Sequence, residues 1–453
     1  MGDSKEFFGG FVTFLVLLAL GSWALRLTRT HRDTLRFQVR LFAAAMLLRF
    51  AAATAIYQFG IWAMLGDADA SGWWFGDSLW RQWQASNFNG LDVLLAWTNA
   101  FRSLGGAGGG QLGTSTHVGY YYLLGTVFFW IGTSSRMITA AINCFIGSLI
   151  VVFAYRTARV LFSQWVATRV AWWSCLFPSM IIWSAQTVKE PVVILLEIVA
   201  LYCCVRLKKS DFALRYVALS GFAVVLMLPF RFYASYISMA AFASVLLVPT
   251  STAARRRTQW SAVGLLLFIG AIVVVGFTLA NSEAKLDQYD LSFIQKFRHD
   301  IAEGAGSGVD LDVDMTTTTG FGIGTFVGAA HLLLAPFPWQ LGGASLRMLL
   351  TTPELVYWWW LFFVGVVPGV RRAAREHIAD LVPVFLFIAG LGLLYSMTFG
   401  NIGLVFRQRA QLLPWLFMFG AAGLEQRAHR ATLRRAAILR TPTARVYVSA
   451  AGR

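Results

Sequence analysis

Six stretches of this chain run for 19 to 23 residues without one charged side chain: 7–25, 137–155, 170–188, 232–254, 260–280 and 381–400. A helix needs roughly 17–25 apolar residues to cross the hydrocarbon core of a bilayer, and inside that core only a helix or a closed barrel satisfies its own backbone. Shorter or interrupted runs lie at 41–66, broken by Arg49, and at 191–205, 216–230, 355–370 and 410–424. The sequence therefore predicts an all-α polytopic membrane protein with about eleven transmembrane helices. Composition agrees, because only 13% of the 453 residues are charged, against about 25% in a soluble domain. The first run has neither a basic leader nor a small-residue cleavage site, and reads as a retained helix rather than a signal peptide. Cys144, Cys175, Cys203 and Cys204 all fall in expected spans, where they read as packing residues rather than a disulfide framework or a metal site.

The formal charge of +16 is unevenly placed. With the N-terminus outside, eleven spans put 26–40, 156–169, 206–215, 255–257, 371–375 and the tail after 425 on one side. Those segments hold 25 of the 38 lysines and arginines, so by the positive-inside rule that side is cytoplasmic and the C-terminus is in. The surplus charge is a topology signal and implies no nucleic-acid partner. Acids lean the other way: Asp67, Asp69, Asp77, Asp92, Glu190, Glu354 and eight more between 281 and 314 fall outside.

Two external loops exceed what a connector needs. The first, 66–136, opens with GDADASGWWFGDSLWRQW, passes a glycine-rich patch at 105–110 and ends with HVGYYYLLGTVFFWIG, 117–132. A span over 117–132 would reverse every later basic loop, so it is expected to be an interfacial or re-entrant helix. The second, 281–352, runs through VDLDVDM to HLLLAPFPWQ, 331–340, also expected at the interface. Residues 1–425 then form one membrane domain and 426–453 a basic cytoplasmic tail. VDLDVDM lacks the glycine and closing glutamate of an EF-hand and reads as a solvated loop. His299 and His331 show no zinc spacing.

The order of features from 117 to 209 resembles the C-type (GT-C) membrane glycosyltransferases, such as the protein O-mannosyltransferases and the aminoarabinose transferase of lipid A. The shared features are an acidic first outer loop, an aromatic interfacial helix and a span with a basic exit, here YRTARVLF. A proline-broken span then ends near Trp183-Ser184, and an acid opens the next. PFPWQ with Pro353-Glu354, and GNIGLVFRQR at 400–409, look like bacterial relatives that build surface polysaccharide. The resemblance implies a GT-C fold and transfer of a sugar or glycan unit, with inversion, from a polyprenyl phosphate or diphosphate. The acceptor would be an extracytoplasmic glycan, lipid or protein, and the site would face the periplasm of a bacterial inner membrane. It implies no nucleotide pocket and leaves a divalent cation, magnesium or manganese, open. Many relatives have adjacent acids in the first loop, whereas here Ala68 separates Asp67 from Asp69. A His-Pro-Pro of relatives is His117-Val118-Gly119 here.

Such a transfer needs a base for the acceptor hydroxyl and cations for the departing phosphate. Asp69, then Asp67, are the candidate bases, although Gly-Asp-Ala-Asp is also ordinary turn chemistry. Glu190 is the third candidate acid, orienting the acceptor or holding a cation; a helix dipole favours an acid there in any case. Arg407, Arg409, Arg231 and Lys189 are the candidate phosphate ligands, with headgroup snorkelling as the alternative. In an extended segment Arg407 and Arg409 would point the same way. Trp73 and Trp74, with Trp80 and Trp83, would line a helical face suited to headgroups or a sugar, and Tyr120 belongs to the aromatic segment. Asp77 and Arg81 are spaced as an i, i+4 pair. Glu197, inside a span, needs a partner, for which Arg49 is the candidate. A polymerase on the same scaffold, or a flippase for a lipid-linked glycan, are the rival readings.

Overall fold

The computed structural model describes residues 4–28, 32–61, 72–102, 118–209, 213–247, 291–303, 308–309, 313–343 and 346–440. Among these residues the only β pairing is an isolated bridge between Gly308 and Asn401, and the rest of the regular structure is helical. Among the described residues six helical segments are long and apolar enough to cross a membrane: Ser4–Arg26, Arg32–Gln58, Arg136–Leu161, Leu214–Val245, Thr352–Glu376 and Ile378–Met397. The expected span 260–280 lies outside the described residues.

The first helices are α1 (Ser4–Arg26) and α2 (Arg32–Gln58), followed by α3 (Gly72–Ala85), α4 (Gly90–Arg102) and α5 (Gly119–Ile131). Helix α6 (Arg136–Leu161) is the hub, packing against α1, α2, α7 (Gln164–Leu176) and α9 (Glu190–Lys209). Between α7 and α9, the short α8 (Pro178–Ala185) begins at a break on Phe177. Pro178 has no N–H to donate, so the end of α7 keeps orphan carbonyls. Arg49 of α2 takes that role, donating to Ser174 O (2.9 Å), Cys175 O (3.4 Å) and Ser184 Oγ (2.8 Å). A buried arginine in a span is thus satisfied by a broken helix rather than by Glu197, the partner that the sequence suggested.

The segment α10 (Leu214–Leu247) is a hairpin. Pro229 interrupts it and Arg231 leaves helical geometry, with φ −161° and ψ 81°. In a straight helix, eleven residues span about 16 Å, yet Ser235 Oγ donates to Val224 O at 2.7 Å. Phe242 returns to the Cys203, Cys204 and Tyr216 cluster. The two expected runs, 216–230 and 232–254, therefore meet at a turn that carries Arg231.

At 13 residues, α5 is about 20 Å long, short of the ~30 Å core; it ends at Gly132, whose φ of 76° favours glycine. The second long loop holds more structure than expected: α11 (Leu291–Glu303), α12 (Thr318–Leu334) and a 3-10 turn, Pro338–Gly343. Gly328 of α12 meets the Ser396 carbonyl so closely that a Cβ would lie 2.0 Å from it. Then follow α13 (Leu346–Leu361), a π turn (Phe362–Val366), α14 (Val367–Glu376), α15 (Ile378–Met397) and α16 (Ile402–Arg440). Helix α2 starts nine residues before the expected span, and α16 runs on through 425 into the basic tail. Hydropathy marks where lipid would lie, whereas helix propensity lets Arg and Gln continue the coil into water.

The two ends of the bundle differ. One carries Arg156 on Gln38 (2.6 Å), Lys209 on Asp380, Ser163 on Glu425, and Arg372 near Glu425 (3.6 Å). This is the end to which the sequence assigned the basic loops. Helices α14 and α16 cross there at glycines, and a Cβ on Gly369 would lie 1.8 Å from Phe419 O. Gly369→Ala is therefore expected to destabilise by about 1–3 kcal/mol through overpacking. Gly392→Ala, with nothing within 4 Å, should stabilise by up to about 1 kcal/mol. Thermal unfolding of the two purified variants checks the contrast.

Candidate functional site

At the opposite end, four elements bring ionisable side chains into one buried node. The turn before α9 is fixed by Asn143 of α6, whose Nδ2 donates to Gln186 O (2.6 Å) and Val188 O (2.8 Å) and also to Tyr120 Oη (3.0 Å). The Thr187 N–H donates to Tyr57 Oη (3.0 Å). Glu190, the first residue of α9, is thereby held at the mouth of the bundle, 1% exposed.

Glu190 Oε1 receives two arginines. Arg231 Nη2, from the α10 turn, lies 3.0 Å away, and Arg407 Nε, from the first turns of α16, lies 3.2 Å away. Arg231 Nη1 also donates to Tyr395 Oη of α15 (2.7 Å). Gln411, one turn beyond Arg407, completes the set. In the amide orientation that satisfies both ends, its nitrogen donates to Glu197 Oε1 (2.9 Å), and its oxygen accepts from Arg231 and from Tyr395 Oη (3.0 Å). Glu190 and Glu197 sit two turns apart on one face of α9, so a single guanidinium can serve both.

Burying an ion costs several kcal/mol even after relaxation, and the cost is offset only where each charge has a close partner and its remaining hydrogen bonds are met. Here one atom of each is unmet: Arg231 Nε and Glu197 Oε2 have no hydrogen-bond partner. Arg407 is the most accessible member of the ion triad, at 11% against 4% for Arg231. The node can therefore hold an anionic group against two guanidiniums at the end of the bundle, in a medium where their charge is weakly screened.

Of the candidate residues, the structure brings Glu190, Arg231 and Arg407 together and puts Lys189 beside them in the chain, half-buried. Asp67 and Asp69 lie outside the described residues. Of the residues that flank them, Tyr57 accepts from the Thr187 N–H, and Gly72 lies so near that a Cβ on it would be 2.7 Å from Thr187 O, three positions from Glu190. Arg409 is not part of the node. Residues 402–440 are helical rather than extended, so two positions turn the side chain by about 200°. Arg409 faces Ala335 O (2.8 Å), with the Phe406 and Trp358 rings against its guanidinium.

Tyr120 is buried at 2%, bonded to Asn143, rather than presented to a ligand. Trp83 is buried, and Trp73 and Trp80 pack on the core, whereas Trp74, 100° round the helix, is 61% exposed. Asp77 accepts from Arg81 Nε (2.8 Å) as the spacing predicted, although the acid is buried and only the arginine is at the surface. His331, beside Phe399, is held below its usual range by burial. Nδ1 bonds Val327 O and Nε2 faces Gln340 Nε2, the pattern of a neutral ring. Among the described residues no three of His, Cys, Asp and Glu cluster as metal ligands.

Sequence reasoning missed Tyr395, Gln411 and Asn143. Each is a polar side chain inside a largely apolar run, where its hydrogen-bonding groups need a partner, and that is the signal. It counted Glu354 among the external acids without giving it a partner; the structure buries it at 4%, with Oε2 accepting from the Ser179 N–H (2.6 Å) at the start of α8. No protein-family model, curated protein or solved structure matches this chain.

Arg231→Met strips Glu190 and Tyr395 of a buried partner. The expected loss is about 3–5 kcal/mol, and adding Glu190→Gln should recover part of it. Thermal unfolding of the single and double variants measures the coupling.

Proposed function

We propose that this protein is an integral membrane glycosyltransferase. It moves a sugar or glycan unit from a polyprenyl phosphate or diphosphate to an acceptor on the non-cytoplasmic side, in the making of cell-envelope glycans. The observation that carries the reading is the convergence of Arg231 and Arg407 on one buried carboxylate, at the end of the bundle away from the basic loops. A lipid phosphate would reach such a site at headgroup depth, and guanidinium forks suit its oxygens.

The acceptor hydroxyl attacks the anomeric carbon, and the bond from that carbon to the phosphate oxygen breaks with inversion. The electron pair leaves with the phosphate, which the arginines stabilise, while the hydroxyl proton passes to an aspartate. Asp69, or Asp67, is that base in this reading. Support comes from the attachment of the flanking Tyr57 and Gly72 to Thr187, beside the start of α9. Lys189 adds positive charge at the same turn, and Trp74, exposed on α3, is the aromatic best suited to meet a headgroup or sugar.

Membranes supplied with a polyprenyl-phosphate-linked sugar should form new glycosidic bonds, and Asp67→Ala or Asp69→Ala should lower the rate by about 10²–10⁴-fold. Full transfer by both variants would end the assignment. Movement of the lipid-linked glycan in proteoliposomes without a new bond would identify a flippase instead, and chain elongation of the glycan a polymerase.

A further inference from the structure

Glu190 offers a single carboxylate oxygen to Arg231 and Arg407, at 3.0 and 3.2 Å. Two guanidiniums this close repel unless an anion lies between them. A phosphate oxygen is the same kind of partner, with the same charge and the same preference for the guanidinium fork. We propose that Glu190 is an internal stand-in for the phosphate of the lipid carrier: in the free protein its carboxylate fills the anion position, and an arriving phosphate displaces it. The inference rests on the lipid-phosphate reading above and adds that this chain competes with its own ligand.

Three features make the exchange feasible. Arg231 has a second anchor, since Tyr395 Oη and the Gln411 carbonyl hold its Nη1 while Glu190 meets Nη2. The cation is therefore kept in place when the carboxylate leaves. Glu190 is the first residue of its helix, where a side chain can swing without breaking an internal turn. Arg407, the more accessible arginine, offers the side from which an anion would come. The phosphate puts at least one negative charge between the guanidiniums where the carboxylate withdraws one, so the arginines stay compensated. The same competition would speed release of the phosphate product after transfer, because Glu190 returns to the arginines as the product leaves.

The test is binding of a polyprenyl monophosphate to the full chain in lipid nanodiscs, by calorimetry and by the ligand-induced rise in Tm. Removing the competing charge in Glu190→Gln should tighten binding by about tenfold and give a larger rise in Tm than wild type. Arg231→Lys and Arg407→Lys, which lose the fork, should weaken it. If Glu190→Gln does not fold, Glu190→Asp serves, since it withdraws the carboxylate by one methylene and should also bind more tightly than wild type. Unchanged or weaker binding in the Glu190 variants, with both lysine variants impaired, overturns the stand-in and leaves the phosphate site standing. Unchanged binding in the lysine variants overturns both.

Discussion

A buried carboxylate shared by two arginines, one buried and one partly so, constrains this bundle more than any apolar contact does. Leucines and phenylalanines can slide by a fraction of a turn at small cost, but a buried guanidinium that loses its partner leaves a charge with nowhere to go. Glu190 ties α9 to the α10 turn and to α16, and Tyr395 with Gln411 extends the tie to α15. Two consecutive pairs of helices, α9 with α10 and α15 with α16, separated by more than a hundred residues, are thereby tied together at one end. At their other ends α9 and α15 are joined by Lys209 with Asp380, a partly exposed pair, and such pairs are individually weak and screened by salt.

The breaks in the helices are what bring those charges to their places. Proline at 229 opens the backbone so that Arg231 can turn out of the hairpin tip into the node. Proline at 178 ends α7 and starts α8, leaving carbonyls for Arg49 to cap and a Ser179 N–H for Glu354. At Pro178 the hydrogen bonds the helix loses are taken over by a buried charged side chain; at Pro229 the break instead frees the backbone that carries one. Small residues matter for the same reason: a Cβ on Gly147 would lie 2.5 Å from Ser184 and 3.0 Å from Arg49, so glycine there makes room for the cap.

Much of the frame was legible in the sequence, because apolar runs and prolines report directly on span and break. The aromatic segment 117–132 as a helix, the paired runs meeting at Arg231, and the Asp77–Arg81 pair were all readable by spacing. What was not readable depends on rotation and on partners far along the chain. Arg407 and Arg409 look alike in sequence, and only the helical start at Ile402 separates them into different neighbourhoods. Tyr120 looks like a presented aromatic until the distant Asn143 is seen against it. The α12 helix hid behind threonines and glycines, whose poor intrinsic helix propensity is overridden by the close packing that Gly328 permits against Ser396.

The buried arginines of this protein supply their own comparison. Arg49 and Arg409 give most of their hydrogen bonds to main-chain carbonyls, acceptors that cannot leave without unfolding a turn, and Arg49 adds one to the Ser184 hydroxyl. Arg231 and Arg407 meet instead at the tip of one glutamate, on a side chain with rotamers to move through. A carbonyl is an acceptor that stays with its turn, whereas a carboxylate on a side chain can change rotamer, so the two kinds of arginine differ in how far their partner can yield. That difference is the physical ground on which the anion-exchange proposal rests.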